Sequence, residues 1–317
     1  MKIVSGAARF AATEAERRSE ARLALAIGNF DGVHRGHAAL LAEARARAAH
    51  RGGRSAVLTF TPHPARLFAP DRAPPLIMSL ERRLELVAEA GIDVAIVEPF
   101  TRAFATIEAP AFVHDVLARD LGARDVVVGY DFSFGRGRAG DTRMLAELGA
   151  AHGIEVAVIP PISLGGVPCS STRVRQLVAA GETEAAGKLL GRPFELEGPV
   201  ARGAGRGRGL GFPTANVVAE GELRPKLGIY AARARVLDGP LAGTSRAAAL
   251  SVGTNPQFAG EGVTIEAYLL DFDGDLYDRR LRLEVGARLR DEQRFPSIDA
   301  LIAQIRADVA QVRRLSS

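Results

Sequence analysis

The chain has 317 residues, room for two ordinary domains, and its 47% apolar and 25% charged residues exclude an intrinsically disordered polypeptide. Its 41 basic residues nearly balance 37 acidic ones, so the formal charge of +4 suits phosphorylated ligands without defining a nucleic-acid-binding face. A single cysteine excludes an internal disulfide framework and agrees with a reducing cytosol. No apolar run approaches the roughly 18 residues of a membrane span, and MKIVSGAARFAATEAERRSEAR lacks the apolar core of a signal peptide. These features predict a cytoplasmic protein acting on small molecules, with neither nucleic acid nor membrane as partner.

The first half alternates short apolar runs with helical patterns: LALAIG and a helix to about His50, AVLTF and SLERRLELVAEAG with Ser79 as N-cap, VAIVEPF and APAFVHDVLARDLG, DVVVG, then IEVAVIPP. That alternation reads as βαβ units around a parallel sheet covered on both faces. STRVRQLVAAGETEAAGKLLGRPF follows as a helical stretch broken at Gly181 and Gly187, which sets the domain boundary at 185/186. Beyond it, FELEGPVARG, GFPTANVVA, GIYAARARVLDG, TSRAAALSVG, VTIEAYLLDF and RRLRLEVGARL follow without intervening helices. Six strands so spaced predict a closed or nearly closed antiparallel barrel. A last helix, capped by Ser297, repeats Ile298, Leu301, Ile302, Ile305, Val309 and Val312 along one face, which should pack on the barrel.

GNFDGVHRGH, residues 28–37, sits where the first long strand turns into a helix. His34 and His37, three residues apart at that helix start, share one side. A helix N-terminus offers N–H donors and a partial charge of about +0.5, so added imidazole donors would hold polyphosphate oxygens. Gly36 between them would let a flat base or sugar approach the backbone. Asp31 with two histidines makes an incomplete zinc set; the remaining alternative is a polar helix start near solvent. CSSTRVR, residues 169–175, places hydroxyls and two arginines at another helix start. By itself Ser170-Ser171-Thr172 is an ordinary cap. Cys169, with no histidine near it in sequence, reads as a small turn residue rather than a nucleophile.

HRGH resembles the HxGH signature of the nucleotidyltransferase superfamily, and SSTRVR is similar to the SSTxxR motif of bacterial flavin adenylyltransferases. GYDFSFGRGRAGD, residues 129–141, resembles their GxDFxFGxxxxGD loop. The resemblance implies attack of a flavin phosphate on the α-phosphorus of ATP with loss of pyrophosphate. In it His34 and His37 stabilise the leaving group, with Gly28, Phe30, Asp31 and Gly36 in the same ATP-binding turn. Ser170, Ser171, Thr172, Arg173 and Arg175 hold ATP phosphates, and Asp131, Phe132, Arg136 and Arg138 border the FMN and ATP pockets. Such chemistry asks mainly for charge neutralisation and in-line placement. TFTPHPARLF, residues 59–68, also resembles a family segment, but His63 between prolines fits a loop residue and stays outside the catalytic set.

GRGRAG, residues 135–140, also satisfies G-x-G-x-x-G, with Glu155 at a plausible distance, and opens a dehydrogenase reading. Against it, YDFSF separates the glycines from the strand ending near Gly129, and HRGH and SSTRVR stay unexplained. A flavin carrier without ATP chemistry is the second competitor.

In GRGLGFPTAN, residues 207–216, Gly207, Gly209 and Gly211 free the backbone around a phosphate, and Thr214 and Asn216 share one face of an extended segment. Neutral oxygens beside polyphosphate suit Mg²⁺, although a glycine-rich hairpin without ligand remains the alternative. GFPTAN resembles the PTAN motif of riboflavin kinases, and the likeness extends through PKLGIYAA, SVGTNPQF, TIEAYLLDF and LRDEQRF. It implies that Pro213, Thr214 and Asn216 position Mg·ATP and that Glu266 is the base for the terminal ribityl hydroxyl. Asp291 and Glu292 read as surface charges. Asp278 stands where that family commonly has glycine, and Gln257 where it often has threonine.

The sum is an α/β plus all-β chain resembling bacterial riboflavin kinase/FAD synthetase. A Rossmann-like nucleotidyltransferase domain over 1–185 would make FAD, and a six-stranded β-barrel with a terminal helix over 186–317 would make FMN. The expected ligands are ATP, riboflavin, FMN, FAD and Mg²⁺.

Overall fold

The computed structural model describes residues 1–13, 22–202, 206–254 and 263–316; Gln257 lies outside them. The chain packs as two compact units, Met1–Pro74 with Leu80–Cys169, and Pro75–Ser79 with Ser170–Ser317.

The first unit runs β1 (Lys2–Ser5), α1 (Ala7–Thr13), β2 (Leu23–Ile27), α2 (Arg35–Arg51), β3 (Arg54–Thr61), α3 (Pro64–Phe68), α4 (Leu80–Glu89), β4 (Val94–Pro99), α5 (Arg102–Ala105) and α6 (Ala109–Ala111). A π-helix over Phe112–Asp120 continues α6, followed by β5 (Ala123–Gly129), α7 (Thr142–Ala151), β6 (Glu155–Ile159) and the hairpin β7 (Ser163–Leu164) and β8 (Val167–Pro168). Six strands form a parallel sheet in the order β1-β4-β3-β2-β5-β6. β2 is buried at every position, which explains why LALAI shows no alternation. Leu25, Ile27, Leu58, Ile96, Val126 and Val128 lie in the same core as the helix residues Phe112, Val113, Leu117 and Leu145. The edge strand β1 was not expected, because KIVS carries only two apolar residues and its Ile3 is exposed.

The chain leaves β2 toward β3 and β4 on one side, while β5 and β6 extend the other side. The turns after β2 and β5 therefore rise from the carboxyl ends of adjacent strands at the point where strand order reverses, the usual place for ligands in such sheets. The glycines of the GRGRAG segment do not form a dinucleotide turn. β5 ends at Gly129, Phe134 and Gly140 pair across a small loop, and α7 starts at Thr142 behind the N-cap Asp141. Glu155 begins β6 and pairs with Arg51, at the opposite end of the strands.

The second unit contains α8 (Ser171–Ala180), α9 (Thr183–Leu190), β9 (Phe194–Ala201), α10 (Arg206–Gly209), β10 (Ala215–Val217), β11 (Gly228–Val236), β12 (Ser245–Thr254), β13 (Val263–Leu269), β14 (Arg280–Arg290) and α11 (Ile298–Ser316). The strands close an antiparallel barrel in the order β10-β13-β12-β11-β14-β9. Gly181 ends α8 at φ 84°, as expected, but α9 runs through Gly187 and stops at Gly191. A side chain at Gly187 would press on the carbonyl of Arg192, so this glycine serves close packing rather than a break. By packing, the second unit begins at Ser170, ahead of the 185/186 division. Lys226 N–H bonds to the Val178 carbonyl, and Thr183 Oγ1 donates to the Gly286 carbonyl at 2.5 Å. Pro75–Ser79 joins it because Glu222 and Leu223 both donate backbone N–H groups to Leu76 O.

Ser297 caps α11 through Ala300 N–H at 3.2 Å. The helix face differs from its apolar pattern at two positions: Ile298 is 64% exposed, whereas Asp308 is buried. Asp308 can be buried because Arg290 grips both its oxygens, with the shortest contact at 2.7 Å, and Gln304 adds a hydrogen bond at 2.9 Å. Among the described residues no helix is long and apolar enough to cross a membrane.

Candidate active sites on the parallel sheet and the barrel

The turn after β2 is built on strained backbone. Phe30 and Val33 adopt φ 49° and 40°, and Gly32 φ 89°, which folds the chain tightly before α2. Thr59 Oγ1, on neighbouring β3, donates to the Asn29 carbonyl at 3.2 Å and steadies the turn. His34 is the N-cap of α2, 6% exposed, and its Nδ1 accepts the His37 backbone N–H at 3.3 Å. An accepting Nδ1 places the proton of a neutral His34 on Nε2, leaving Nε2–H as the ring's donor. The His34 and His37 rings stack with centroids 3.6 Å apart, and Phe30 meets His37 edge-on at 5.3 Å. The two imidazoles thus form one stacked pair on a helix start.

The other residues of that turn take supporting positions. Phe30 is fully buried beneath His37. Asp31, 1% exposed, faces the buried Arg83 of α4 at 4.0 Å as an internal charge partner. Sequence reasoning missed Arg83, since arginine on an amphipathic helix reads as a solvated charge. Gly36 has an internal reason: a Cβ there would lie 3.0 Å from both the Cys169 carbonyl and the His34 ring. Close packing on the Cβ side of Gly36 therefore favours glycine there. Gly28 faces the Phe30 ring at ordinary contact distance.

Cys169 is buried, donates its N–H to the Ile162 carbonyl, and has its thiol pushed up by burial against a smaller opposing pull from Arg35. That is a structural thiol. His63 caps α3 by accepting Ala65 N–H at 3.2 Å. After β5, Phe132 stacks on Phe134 with centroids 5.7 Å apart, and Asp131 is exposed. Arg136 pairs with Glu108 at 2.7 Å, and Arg138 donates to Ser133 Oγ at 2.8 Å.

In the second unit Ser170 is the N-cap of α8, accepting Arg173 N–H at 3.2 Å, with Ser171 and Thr172 in the first turn. Arg173 bonds Gln176 at 3.2 Å along the helix, whereas Arg175 Nε donates to the Pro75 carbonyl at 2.7 Å. Arg175 therefore ties Pro75–Ser79 to α8, a long-range contact that no local motif could reveal.

On the barrel, Ala215 and Val217 point inward and are buried, which turns Asn216 and the neighbouring Thr214 outward. Asn216 is directly opposite Glu266 in the β10–β13 register, and Thr214 Oγ1 lies 3.3 Å from Glu266 Oε2. The hydroxyl, amide and carboxylate expected to work together are brought onto one face. Among the described residues no group of three or more His, Cys, Asp or Glu side chains could hold a metal. Thr214 and Asn216 would supply neutral hard oxygens, which fits an Mg²⁺ ion that takes its other ligands from phosphate and water.

Gly207 is required by the turn, since a Cβ would collide with the Phe212 carbonyl, while Gly211 adopts φ 85°. Gly209 faces open space and Pro213 is exposed. Phe212 meets Tyr268 edge-on at 5.5 Å, anchoring the segment to β13. Asp278 sits at φ 60°, which accounts physically for glycine at the corresponding family position.

The FAD synthetase family matches residues 16–173 and the riboflavin kinase family residues 190–316. The chain is 40% identical over 290 residues to the bifunctional riboflavin kinase/FMN adenylyltransferase of Escherichia coli K12, covering 91% of each. It is 40% identical over 292 residues to the Pseudomonas fluorescens protein of that name, covering 92% of each, and 31% identical to that of Bacillus subtilis over 95% of each. A solved Streptococcus pneumoniae structure described as a macrolide-efflux protein superposes with TM-score 0.83 at 27% identity over 99% of both chains. With both halves matched in order and near-complete coverage of these relatives, the chain belongs to the bifunctional riboflavin kinase/FMN adenylyltransferase family.

Proposed function

We propose that the family's two ATP-dependent reactions are divided between residues 1–185, which adenylylate FMN to FAD, and residues 186–317, which phosphorylate riboflavin to FMN. The observation that carries the kinase half is the convergence of Thr214, Asn216 and Glu266 on one barrel face. Glu266 accepts the proton of riboflavin's terminal hydroxyl as that oxygen attacks the γ-phosphorus of ATP. Thr214 and Asn216 orient the phosphates and hold Mg²⁺, which when bound neutralises charge on the phosphate oxygens. The backbone around Gly207, Gly209, Gly211 and Pro213 borders the same phosphates.

For the adenylyltransferase half, the stacked His34–His37 pair is the supporting observation. Nε2–H of His34 donates to the departing pyrophosphate, and His37 acts from the same helix turn. Gly28, Phe30, Asp31 and Gly36 set the shape of that turn from within. Ser170, Ser171 and Thr172 offer hydroxyl and amide donors, Arg173 adds charge, and Arg175 positions α8 through Pro75. Asp131, Phe132 and Arg136 border the flavin. The reactions take place in the cytoplasm and need no nucleic acid or membrane.

The test is chromatography of products from riboflavin, ATP and Mg²⁺, with FMN as intermediate. The reading expects FMN with ADP first, then FAD with pyrophosphate. Flavin binding without ATP turnover would favour a carrier.

A further inference from the structure

Resting on this kinase reading, we infer that Glu292 is a specificity-determining residue whose carboxylate accepts hydrogen bonds from the secondary hydroxyls of riboflavin's ribityl chain. Gly253 on β12 is buried although it lies on an outward-facing register position, and Glu292 Oε1 fills the space that a Cβ at Gly253 would need. Gly253 is opposite Thr264, and Ser251, two residues before, is opposite Glu266. Partners in register share a face of the sheet, so Glu292 reaches over the same face that carries Glu266.

The order of strands then gives this carboxylate a direction. β10, β13 and β12 are neighbours in that sequence around the barrel. The phosphate-positioning pair Thr214 and Asn216 lies at the start of the first, the base Glu266 on the second, and the Gly253 notch beneath Glu292 on the third. In an in-line transfer the ribityl chain leaves the attacking oxygen on the side away from the phosphate. Phosphate on the β10 side therefore sends the sugar alcohol over β12. Positions diagonal to one another across two strands are about 7–8 Å apart, which brings the carboxylate alongside the carbons that follow the terminal hydroxyl.

The neighbouring acid behaves differently. Asp291 is held by Arg288 at 2.6 Å and by Lys226 at 3.6 Å, which keeps its carboxyl below the usual range. Among the described residues Glu292 makes no ion pair, and it is exposed. An ionised carboxylate is an acceptor on both oxygens, and polyol hydroxyls are its natural donors. Gly253 provides the clearance: any side chain there would displace Glu292.

Steady-state kinase kinetics on the full chain test this with Glu292→Ala and Glu292→Gln. The expected result for Glu292→Ala is a rise in the riboflavin KM of about tenfold or more, with kcat and the ATP KM within about twofold. Glu292→Gln, which keeps one acceptor oxygen, should fall between. Flavins lacking single ribityl hydroxyls should bind more weakly to the wild type, and at least one should lose nothing further in Glu292→Ala. FMN adenylylation by the same preparation reports intact folding. An unchanged riboflavin KM, a fall confined to kcat, or a deoxy-flavin penalty equal in both proteins would overturn the assignment. Retained kinase activity in Glu266→Gln would instead remove the site reading on which it rests.

Discussion

The two units place polar chemistry on their scaffolds in opposite ways. In the parallel sheet, β2 is buried throughout, so none of its own side chains is available and the candidate residues sit in the turn beyond it. The barrel strand β13 alternates exposed or half-buried with buried positions, and Glu266 projects from the strand itself. A site in a turn needs its own internal supports, here the strained Phe30 and Val33, the Phe30 ring and the Asp31–Arg83 pair. A site on a strand inherits its geometry from register, as Asn216 opposite Glu266 shows. Local motif therefore carries more in the first unit, and long-range pairing more in the second.

Two substitutions would break this comparison if the reactions were not separate. Glu266→Gln should lower riboflavin phosphorylation by about 10²–10⁴-fold while leaving FMN adenylylation intact. His37→Ala should do the reverse, lowering FAD formation by about 10²–10³-fold. Product analysis on each variant reads both reactions, and joint loss in either one would count against independent sites.

Effects on stability should be smaller and confined to the unit concerned. Asp308→Ala leaves Arg290 without its buried partner and should destabilise the barrel unit by about 3 kcal/mol, measured by denaturant unfolding. Asp278→Gly relieves a left-handed residue and should stabilise that unit by at most about 1 kcal/mol. Kinase kinetics should be unaffected, because no proposed ligand lies at that turn.

The smallest effect belongs to the exposed Arg313–Asp271 pair, which joins α11 to the turn after β13 at 2.6 Å. The hydrogen bond from Arg313 holds the Asp271 carboxyl below its usual range. A depressed folded-state value means that the contribution is present above the unfolded carboxylate range and is lost as pH falls through the depressed one. The Tm difference between wild type and Asp271→Asn should therefore be present at neutral pH, fade on acidification, and shrink in high salt.

Much of this organisation was legible in the sequence. Five parallel strands, β2 to β6, six barrel strands, the Gly181 stop and the Ser297 cap each follow from local pattern and residue chemistry. HRGH and GFPTAN were legible for the same reason, since a helix start and an extended segment fix the relative direction of nearby side chains. Other features were hidden because their partners are distant in sequence. KIVS becomes a strand only by pairing with β4, Asp308 is buried only because Arg290 meets it, and Gly36 answers to the carbonyl of Cys169.

The sequence by itself determined the order of elements, the HRGH and GFPTAN segments and the residue types they carry. Tertiary structure alone decided which of those residues are supports and which face outward. It turned Asp31 and Phe30 inward, tied Arg175 to Pro75, and set Glu292 over Gly253. The physical reason is that propensity and periodicity act over one or two turns of chain, whereas burial, ion pairing and steric clearance depend on atoms brought together by the whole fold.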